Sequence, residues 1–290
     1  MSLAASARDW ARMVKLSHSL FALPFALSGM TLAAAGHGVT AAQVFWIVVA
    51  MFAARNAAMG FNRLADHAYD ARNPRTAGRE LPRGVLTRGA VWAFTIALVV
   101  LFVVASFRLG RLTGLLSPVA LAIVLGYSYT KRFAWASHLV LGLALAMAPV
   151  GGWLAVRGSF ATPPWLLAAA VLFWVAGFDV VYACQDVDFD RNEGLHSVPA
   201  RFGVAGALRI ARVLHAAAFA ALVAVGFAAH LHPVYWAGLL VIGAILVWEH
   251  RLVRADDLSK LGVAFFNMNG VISVVYLAVV VTAVLLPVAR

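Results

Sequence analysis

The sequence contains one cysteine, few charged residues and no long polar segment. The single Cys184 has no partner for a disulfide within the chain, and no group of residues has the spacing of a zinc site. Charged residues make up only 12% of the 290 positions, about half the share found in soluble domains. No polar linker is long enough to mark a domain boundary, so we expect residues 1–290 to form a single domain.

Apolar residues dominate instead. They make up 63% of the chain, the mean hydropathy is +0.88, and several runs reach the ~18–20 residues needed to cross a bilayer. This composition predicts an all-α, polytopic membrane bundle, preceded by an interfacial segment over residues 1–15. Nine spans are expected, at about 17–35, 41–65, 88–106, 112–129, 136–156, 164–185, 205–229, 233–249 and 263–287.

Two stretches, residues 56–84 and 179–203, contain six of the twelve acidic residues as aspartates. The i, i+4 and i+8 positions are Asn62, Asp66 and Asp70 in the first stretch and Tyr182, Asp186 and Asp190 in the second. On a helix this spacing places the side chains on one face. Carboxylates at the edge of a membrane helix are costly unless they are hydrated, paired or bound to a cation, so both stretches are predicted to belong to a functional site.

The two stretches also form a weak internal repeat. DARNPRTAGRELPRG and DFDRNEGLHSVPARFG share the order Asp, Arg-Asn, Gly, Pro, Arg, Gly, and the aspartate pairs lie 120 residues apart. Because four predicted spans separate the copies, both should emerge on the same side of the membrane. We infer a parallel duplication that turns the two aspartate helices toward one central cavity.

The net charge of +11 is concentrated in the loops on the aspartate side. Once Arg55 and Arg63 inside the second span are set aside, the opposite side holds only Arg108, Arg111, Arg157 and Arg290. The positive-inside rule therefore places the aspartate side in the cytoplasm. We expect the basic loops to contact membrane lipid, and we expect no nucleic-acid partner.

Paired carboxylates beside lysine and arginine suit a diphosphate held through Mg²⁺. Magnesium is commonly bound by one or two carboxylates together with substrate phosphates, and two facing pairs can hold two ions. Lys131, Arg72 or Arg79 can then contact the remaining phosphate oxygens. A diphosphate beside an apolar cavity indicates an isoprenoid diphosphate, whose ionisation gives an allylic cation that needs a dry, aromatic-lined pocket.

These motifs resemble those of the UbiA superfamily of intramembrane prenyltransferases. The chain matches the NxxxDxxxD pattern at Asn62, Asp66 and Asp70, and the YxxxK pattern at Tyr127 and Lys131. It matches the second DxxxD pattern at Asp186 and Asp190. The resemblance covers the whole chain and implies a nine-helix bundle with a central cavity, a cytoplasmic cap of loops and a lateral opening to lipid.

The resemblance also implies roles for individual residues. Metal binding and catalysis are expected from Asp66, Asp70, Asp186 and Asp190 with Lys131, and Asn62 is expected to assist the metal. Further contacts to substrate are expected from Lys15, Arg63, Arg72, Arg79, Tyr127, Asp179 and Tyr182. The residue that removes the ring proton is not indicated, and His18, His67 and His196 are only weak candidates for that base.

The expected reaction is transfer of a polyprenyl group from polyprenyl diphosphate to a small aromatic acceptor. The flanks of the second motif resemble bacterial 4-hydroxybenzoate polyprenyltransferases of ubiquinone synthesis. The NPRTAGRELP loop resembles at least as much the branch that prenylates a futalosine-type precursor of menaquinone, and we place 4-hydroxybenzoate slightly ahead as the acceptor. An ion-coupled transporter and a structural subunit are the competing classes, but a transporter would place its carboxylates near the membrane midplane.

Overall fold

The computed structural model describes residues 3–15, 22–262 and 268–286, and these residues form helices joined by short loops, with no strand among them. The predicted all-α class is confirmed. The helices are α1 (Leu3–Met13), α2 (Leu23–Ala34), α3 (Ala41–Ala65), α4 (His67–Arg72), α5 (Arg88–Leu109), α6 (Arg111–Thr130), α7 (Ser137–Arg157), α8 (Thr162–Ala183), α9 (Val187–Asn192), α10 (Val198–Ala228), α11 (Val234–Leu252) and α12 (Asn269–Leu285).

The described residues contain six helices that are long and apolar enough to cross a membrane. They are α3, α5, α6, α7, α10 and the segment from α8 to α9, while α2 and α12 are shorter apolar helices. The prediction of a multi-pass membrane protein is therefore confirmed, whereas the count of nine spans stays a prediction. Residues 17–21 and 263–267 of the expected first and ninth spans lie outside the described ranges.

Side-chain caps fix the first residues of two long helices, α3 and α5. The Thr40 hydroxyl accepts a hydrogen bond from the Gln43 backbone N–H (3.2 Å), and the Gln43 side chain accepts one from the Thr40 N–H (2.9 Å), so α3 begins with a capping box. Thr87 caps α5 through a 3.2 Å bond from the Ala90 N–H. These two helices start where the apolar runs predict them.

Two predicted boundaries are wrong. Helix α10 begins at Val198, seven residues before the predicted start at 205, because Ser197 caps it and Pro199 suits its first turn. Gly203, with φ of 69°, then kinks the helix at a conformation that only glycine adopts freely. The predicted span over 164–185 ends early at Ala183, and a 3₁₀ turn over Cys184–Asp186 leads into α9.

The long helices pack in a ring. Chain neighbours pack on each other from α5 to α8 and from α10 to α12; α3 packs on α5, α8 on α10, and α12 closes the ring on α2. Helix α2 also crosses α7 closely, because a Cβ at Gly29 would lie 2.1 Å from the Pro149 carbonyl oxygen and one at Gly152 would lie 2.1 Å from that of Ala26.

The ring has a densely packed side and a hollow side. Buried apolar residues of α2, α7, α8, α10, α11 and α12 form one continuous core. Phe25 lies at its centre, with ring centroids 5.1 Å from Trp174 and 5.5 Å from Tyr276. The space enclosed by α2, α3, α5, α6, α7 and α8 is instead occupied by a large cavity.

Candidate active site

The cavity has a volume of about 640 Å³ and runs along most of the bundle. Ile47 and Asn62 both line it, and their separation of fifteen residues on α3 corresponds to ~22 Å. Most of its wall is apolar and ends at Phe160 and Trp165. Its charged lining residues and several of its polar ones are grouped near the aspartate stretches: Lys15, Arg55, Asn62, Arg63, Arg79, Tyr127, Asp179 and Tyr182.

The first aspartate stretch keeps its stacking although the helix changes at Asp66. Asp66 ends α3 with a backbone N–H donated to Asn62 (2.9 Å), and the Asp70 N–H is donated to Asp66 (2.8 Å). The three side chains therefore follow one another at one-turn intervals, as their spacing predicts. The Asn62 amide donates to the Asp66 carboxylate (3.1 Å) and lies 3.4 Å from the Ser128 hydroxyl.

Asp66 is buried and receives its cations from the chain after α6. The Lys131 Nζ lies 2.6 Å from its Oδ2, and the Arg132 guanidinium lies 3.8 Å from its Oδ1. That second distance is too long for a hydrogen bond, so Oδ1 is a buried oxygen without a hydrogen-bond partner. The His196 backbone N–H, from the second stretch, donates to the Lys131 carbonyl (2.7 Å). This bond links the chain after α6 to the second stretch.

Asp70 is also buried and is paired more fully. The Arg79 guanidinium donates to both carboxylate oxygens at 2.7 and 2.8 Å, and Arg63 lies 3.9 Å away. The Thr76 hydroxyl donates to the Asp70 carbonyl (3.0 Å) and folds the intervening loop back on the helix. One guanidinium nitrogen therefore bridges both carboxylate oxygens, and such charge-assisted hydrogen bonds are stronger than neutral ones.

Asp186 of the second stretch is held by the loop that follows the first. Arg75 donates to its carboxylate through Nε at 2.9 Å and through a terminal nitrogen at 2.5 Å, and Asn73 adds a bond at 3.0 Å. Arg75 also lies 3.2 Å from the Tyr182 hydroxyl. Asn73 and Arg75 were missing from the predicted site, because only the fold brings this loop across to the other repeat.

Asp190 has different surroundings. The Ser197 hydroxyl is near enough to interact with its carboxylate, and the described residues give it no ion pair. Arg72, expected to contact substrate, instead pairs with Glu193 at 2.6 Å, and its side chain is 54% exposed. Arg72 therefore links the two stretches at the surface and does not join the cations around the carboxylates.

Asp179 lies two turns before Asp186, on the cavity wall. Its Oδ2 lies 2.7 Å from Nδ1 of His138, the second residue of α7, and the His138 ring is buried. The backbone N–H of Val198 donates to the other ring nitrogen, Nε2, at 3.2 Å. His138 was absent from the predicted histidine candidates. Of those, His18 lies outside the described residues, and the Nδ1 of His67 is buried without a hydrogen-bond partner.

Lys15 and two arginines of α3 form a basic group at the polar end of the cavity. Arg55 donates to the carbonyl oxygens of Val14 and Lys15, the latter at 2.8 Å, and Arg63 donates to that of Met13 at 3.3 Å. The end of α1 is thus fastened to α3. Burial, followed by the nearby arginines, lowers the pKa of Lys15 from its usual value near 10.5 to about 8.

The donor set suits a hard cation. No three His, Cys, Asp or Glu side chains meet in a metal-binding group within ranges 3–15, 22–262 and 268–286. Magnesium does not need such a group, because it retains waters and shares its coordination between one or two carboxylates and substrate phosphates. The unsatisfied Oδ1 of Asp66 and the half-buried carboxylate of Asp190, which has no ion pair in the described part of the chain, are oxygen ligands of the required kind.

Comparison with known proteins identifies the family. The model of the UbiA prenyltransferase family matches residues 22–271. An enzyme named 4-hydroxybenzoate octaprenyltransferase from Xanthomonas campestris pv. campestris is 33% identical over 229 residues, which is 79% of this chain and 75% of that protein. A protein of the same name from Photobacterium profundum is 29% identical over 80% of each chain.

Solved structures agree with these relatives. The apo structure of a UbiA homolog from Aeropyrum pernix K1 superposes with a TM-score of 0.82 at 33% identity, covering 91% of this chain and 97% of that one. A UbiA homolog from Archaeoglobus fulgidus, bound to GPP and Mg²⁺, has the same fold with a TM-score of 0.70 at 18% identity, covering 94% and 99%.

This chain therefore belongs to the UbiA prenyltransferase family, as its motifs indicated. The predicted enzyme class, an aromatic prenyltransferase, is confirmed by the same relatives.

Proposed function

We propose that this protein transfers a polyprenyl group from a polyprenyl diphosphate to 4-hydroxybenzoate, with Mg²⁺, in ubiquinone biosynthesis. The reaction takes place at the cytoplasmic side of a bacterial inner membrane. One observation supports this most strongly: three carboxylates, each paired with a lysine or arginine, lie beside the polar end of a long apolar cavity. A long apolar tail and a diphosphate head need these two environments side by side.

The paired cations account for the binding of the diphosphate. Arg79, Arg75 and Lys131 neutralise Asp70, Asp186 and Asp66 in the free protein. If the carboxylates held metal, these cations would be free to donate hydrogen bonds to phosphate oxygens. The charges of both ligands are then balanced by groups already in place, so little reorganisation is needed.

Asp66, Asp70, Asp186 and Asp190 are the residues that would hold two Mg²⁺ ions, with the Asn62 amide orienting Asp66. Bound Mg²⁺ neutralises charge on the leaving diphosphate. Lys131, Arg75 and Arg79 add to this stabilisation as the allylic C–O bond breaks and its electron pair leaves with the diphosphate. The neighbouring rings of Tyr127 and Tyr182 line the cavity where the cation forms, and the apolar wall keeps water away from it.

The acceptor carboxylate has a matching partner. Arg55 and Lys15 line the cavity beside Asn62 and are not paired with any described acidic residue. A carboxylate bound there would place the ring of 4-hydroxybenzoate in the cavity, between the basic group and the polyprenyl cation. The ring then attacks the cation through a carbon and loses a proton.

The test is turnover by the purified protein in lipid nanodiscs, with Mg²⁺ and a long polyprenyl diphosphate. 4-Hydroxybenzoate and a futalosine-type acceptor are supplied in separate reactions. Prenylated 4-hydroxybenzoate supports the proposal, whereas product from the futalosine-type acceptor alone assigns the enzyme to menaquinone synthesis. Failure to consume the donor with either acceptor contradicts the proposed reaction.

A further inference from the structure

We propose that Asp179 is the base that removes the proton from the prenylated ring, and that His138 is the residue that positions its carboxylate. This inference rests on the proposed function, since it assigns a step of that reaction. It starts from a difference among the carboxylates of the site. Asp179 is the one acidic residue that lines the cavity within the described part of the chain.

The other carboxylates of the site are less suited to accept the ring proton, because none of them lines the cavity. Asp66, Asp70 and Asp186 are each paired with a lysine or arginine, which stabilises the charged form and makes the carboxylate a weaker base. The partner of Asp179 is an imidazole. Asp179 therefore remains a negatively charged oxygen donor that no lysine or arginine contacts within hydrogen-bonding distance in the described structure.

The hydrogen bonds of His138 define its tautomer. A backbone N–H can only donate, so the contact from Val198 requires a lone pair on Nε2 of His138. The ring proton must then be on Nδ1, from which it is donated to Asp179 Oδ2 at 2.7 Å. His138 is thus neutral, and it fixes one carboxylate oxygen of Asp179 while the other is left for the cavity.

The position of Asp179 fits the acceptor and not the diphosphate. It lies two helical turns, or ~10 Å, deeper than Asp186, which places it beyond the reach of a metal held at the second motif. Tyr127 on the facing helix lies near enough to interact electrostatically with Asp179. An acceptor ring between these walls has Asp179 at its edge, with the diphosphate site above it.

The step is balanced within the proposed reaction. A ring carbon forms a bond to C1 of the prenyl cation after the C–O bond has broken with its electron pair on the diphosphate. The substituted carbon then loses its hydrogen as a proton to the free oxygen of Asp179, and the C–H electron pair restores aromaticity. Asp179 passes the proton to water when the product leaves.

The experiment compares Asp179→Asn with the wild type, using geranyl diphosphate, Mg²⁺ and 4-hydroxybenzoate deuterated at both carbons next to the hydroxyl-bearing carbon. Wild-type protein should show no primary isotope effect, because ionisation limits the rate. Asp179→Asn should be ~10²–10⁴-fold slower and should show a normal primary effect, because proton loss has become limiting. Donor binding should be unchanged, and Asp188→Asn, an exposed aspartate nearby, should match the wild type.

His138 is tested by two substitutions. His138→Gln can accept from Val198 and donate to Asp179, so it should retain the wild-type rate without an isotope effect. His138→Leu removes both bonds and should show slower turnover with an isotope effect. A structural role for His138 would lower the rate in His138→Leu without revealing an isotope effect.

Two results would overturn the inference: Asp179→Asn that forms product at the wild-type rate, or a slow Asp179→Asn without an isotope effect. Failure of the proposed function is distinguishable from both, because the wild-type protein itself would then make no prenylated 4-hydroxybenzoate.

Discussion

The two aspartate stretches share a spacing and differ in the charges that surround them. In the first, Asp66 and Asp70 are buried and paired with Lys131 and Arg79 at 2.6–2.8 Å. In the second, Asp186 is paired with Arg75 from the loop of the first stretch. Among the described residues, Asp190 has no ion pair and interacts with the Ser197 hydroxyl. The carboxylates of the two stretches therefore lie in different electrostatic environments.

This difference in surrounding charge arises from the loops that follow the two aspartate pairs. Four arginines follow the first aspartate pair within the stretch, whereas the corresponding segment of the second stretch contains two, Arg191 and Arg201, together with Glu193 and His196. The first loop supplies cations to both carboxylate pairs, and the second supplies the cap of α10 and the backbone contact to Lys131. The two similar stretches thus contribute different groups to the same end of the bundle.

The largest expected effect comes from removing a carboxylate charge in each stretch. Asp70→Asn and Asp190→Asn should each lower turnover by ~10²–10³-fold, because each removes stabilisation of the leaving diphosphate. Their stabilities should differ. Asp70→Asn leaves Arg79 buried without its carboxylate and should lower the melting temperature, whereas Asp190→Asn should not, since no cation depends on it. Equal melting temperatures would contradict the comparison.

Removing a cation should have a smaller effect and one that metal reverses. Arg79→Ala leaves Asp70 with only the 3.9 Å contact to Arg63 and should cost about 2 kcal/mol of stability without metal. Mg²⁺ should raise the melting temperature of Arg79→Ala more than that of the wild type, because the released carboxylate is free to bind it. An identical Mg²⁺ response in both proteins would show that Asp70 does not bind metal.

Lys15 should make the KM for an anionic substrate depend on pH. Its pKa is lowered to about 8, so its positive charge is present below that pH and lost above it. The KM for an anionic substrate should therefore rise several-fold between pH 7 and pH 9. Lys15→Arg, which stays charged, should remove this rise, and Lys15→Gln should show the high KM at every pH. A wild-type KM that is constant with pH would exclude Lys15 from substrate binding.

The lowered pKa of Lys15 also makes the stability of the fold depend on pH. Stability should rise with pH, whereas substrate binding should weaken. Because the folded pKa lies below the unfolded value near 10.5, the folded state binds fewer protons than the unfolded state between these values. Lys15 should therefore make the protein more stable as the pH rises from 8 to 10.5, and Lys15→Arg should lose that increment. Melting temperatures of the two proteins across this pH range provide the measurement.

The smallest effect concerns the hydroxyl partner of Asp190. Ser197→Ala removes the cap of α10 and should cost about 1 kcal/mol. Thr87→Ala removes the equivalent cap of α5 and should cost as much. Only Ser197→Ala should also lower turnover, because it removes the hydroxyl that interacts with Asp190. If both variants lose turnover equally, the loss reflects helix stability alone.

Much of the fold could be predicted because it depends on local signals. Apolar runs and caps such as Thr40 and Thr87 are read directly from neighbouring residues, and they place α3 and α5 correctly. The kink at Gly203 and the 3₁₀ turn after Ala183 were missed. Both features depend on the path of the chain between the two aspartate stretches, which a hydropathy profile does not show.

The site was predictable to the extent that it repeats in sequence. The four motif aspartates were identified by their spacing, and Lys131 and Arg79 were identified as loop cations; the structure brings all six to the same end of the bundle. Arg75 and His138 were missed, since their partners Asp186 and Asp179 are 111 and 41 residues away. Only the packing of α7 against α8, and the path of the loop after α4, brings these residues together.

The central claim is that the two stretches hold one metal-bound diphosphate between them. Its most direct test is calorimetric titration of the unreactive analogue geranyl thiolodiphosphate into the protein in nanodiscs, with and without Mg²⁺, for the wild type, Asp70→Asn and Asp190→Asn. We predict tight binding only with Mg²⁺, with two ions taken up per analogue, and weakened binding in both variants. Binding that is equally tight without divalent metal, or that only one of the two variants weakens, would contradict the shared site.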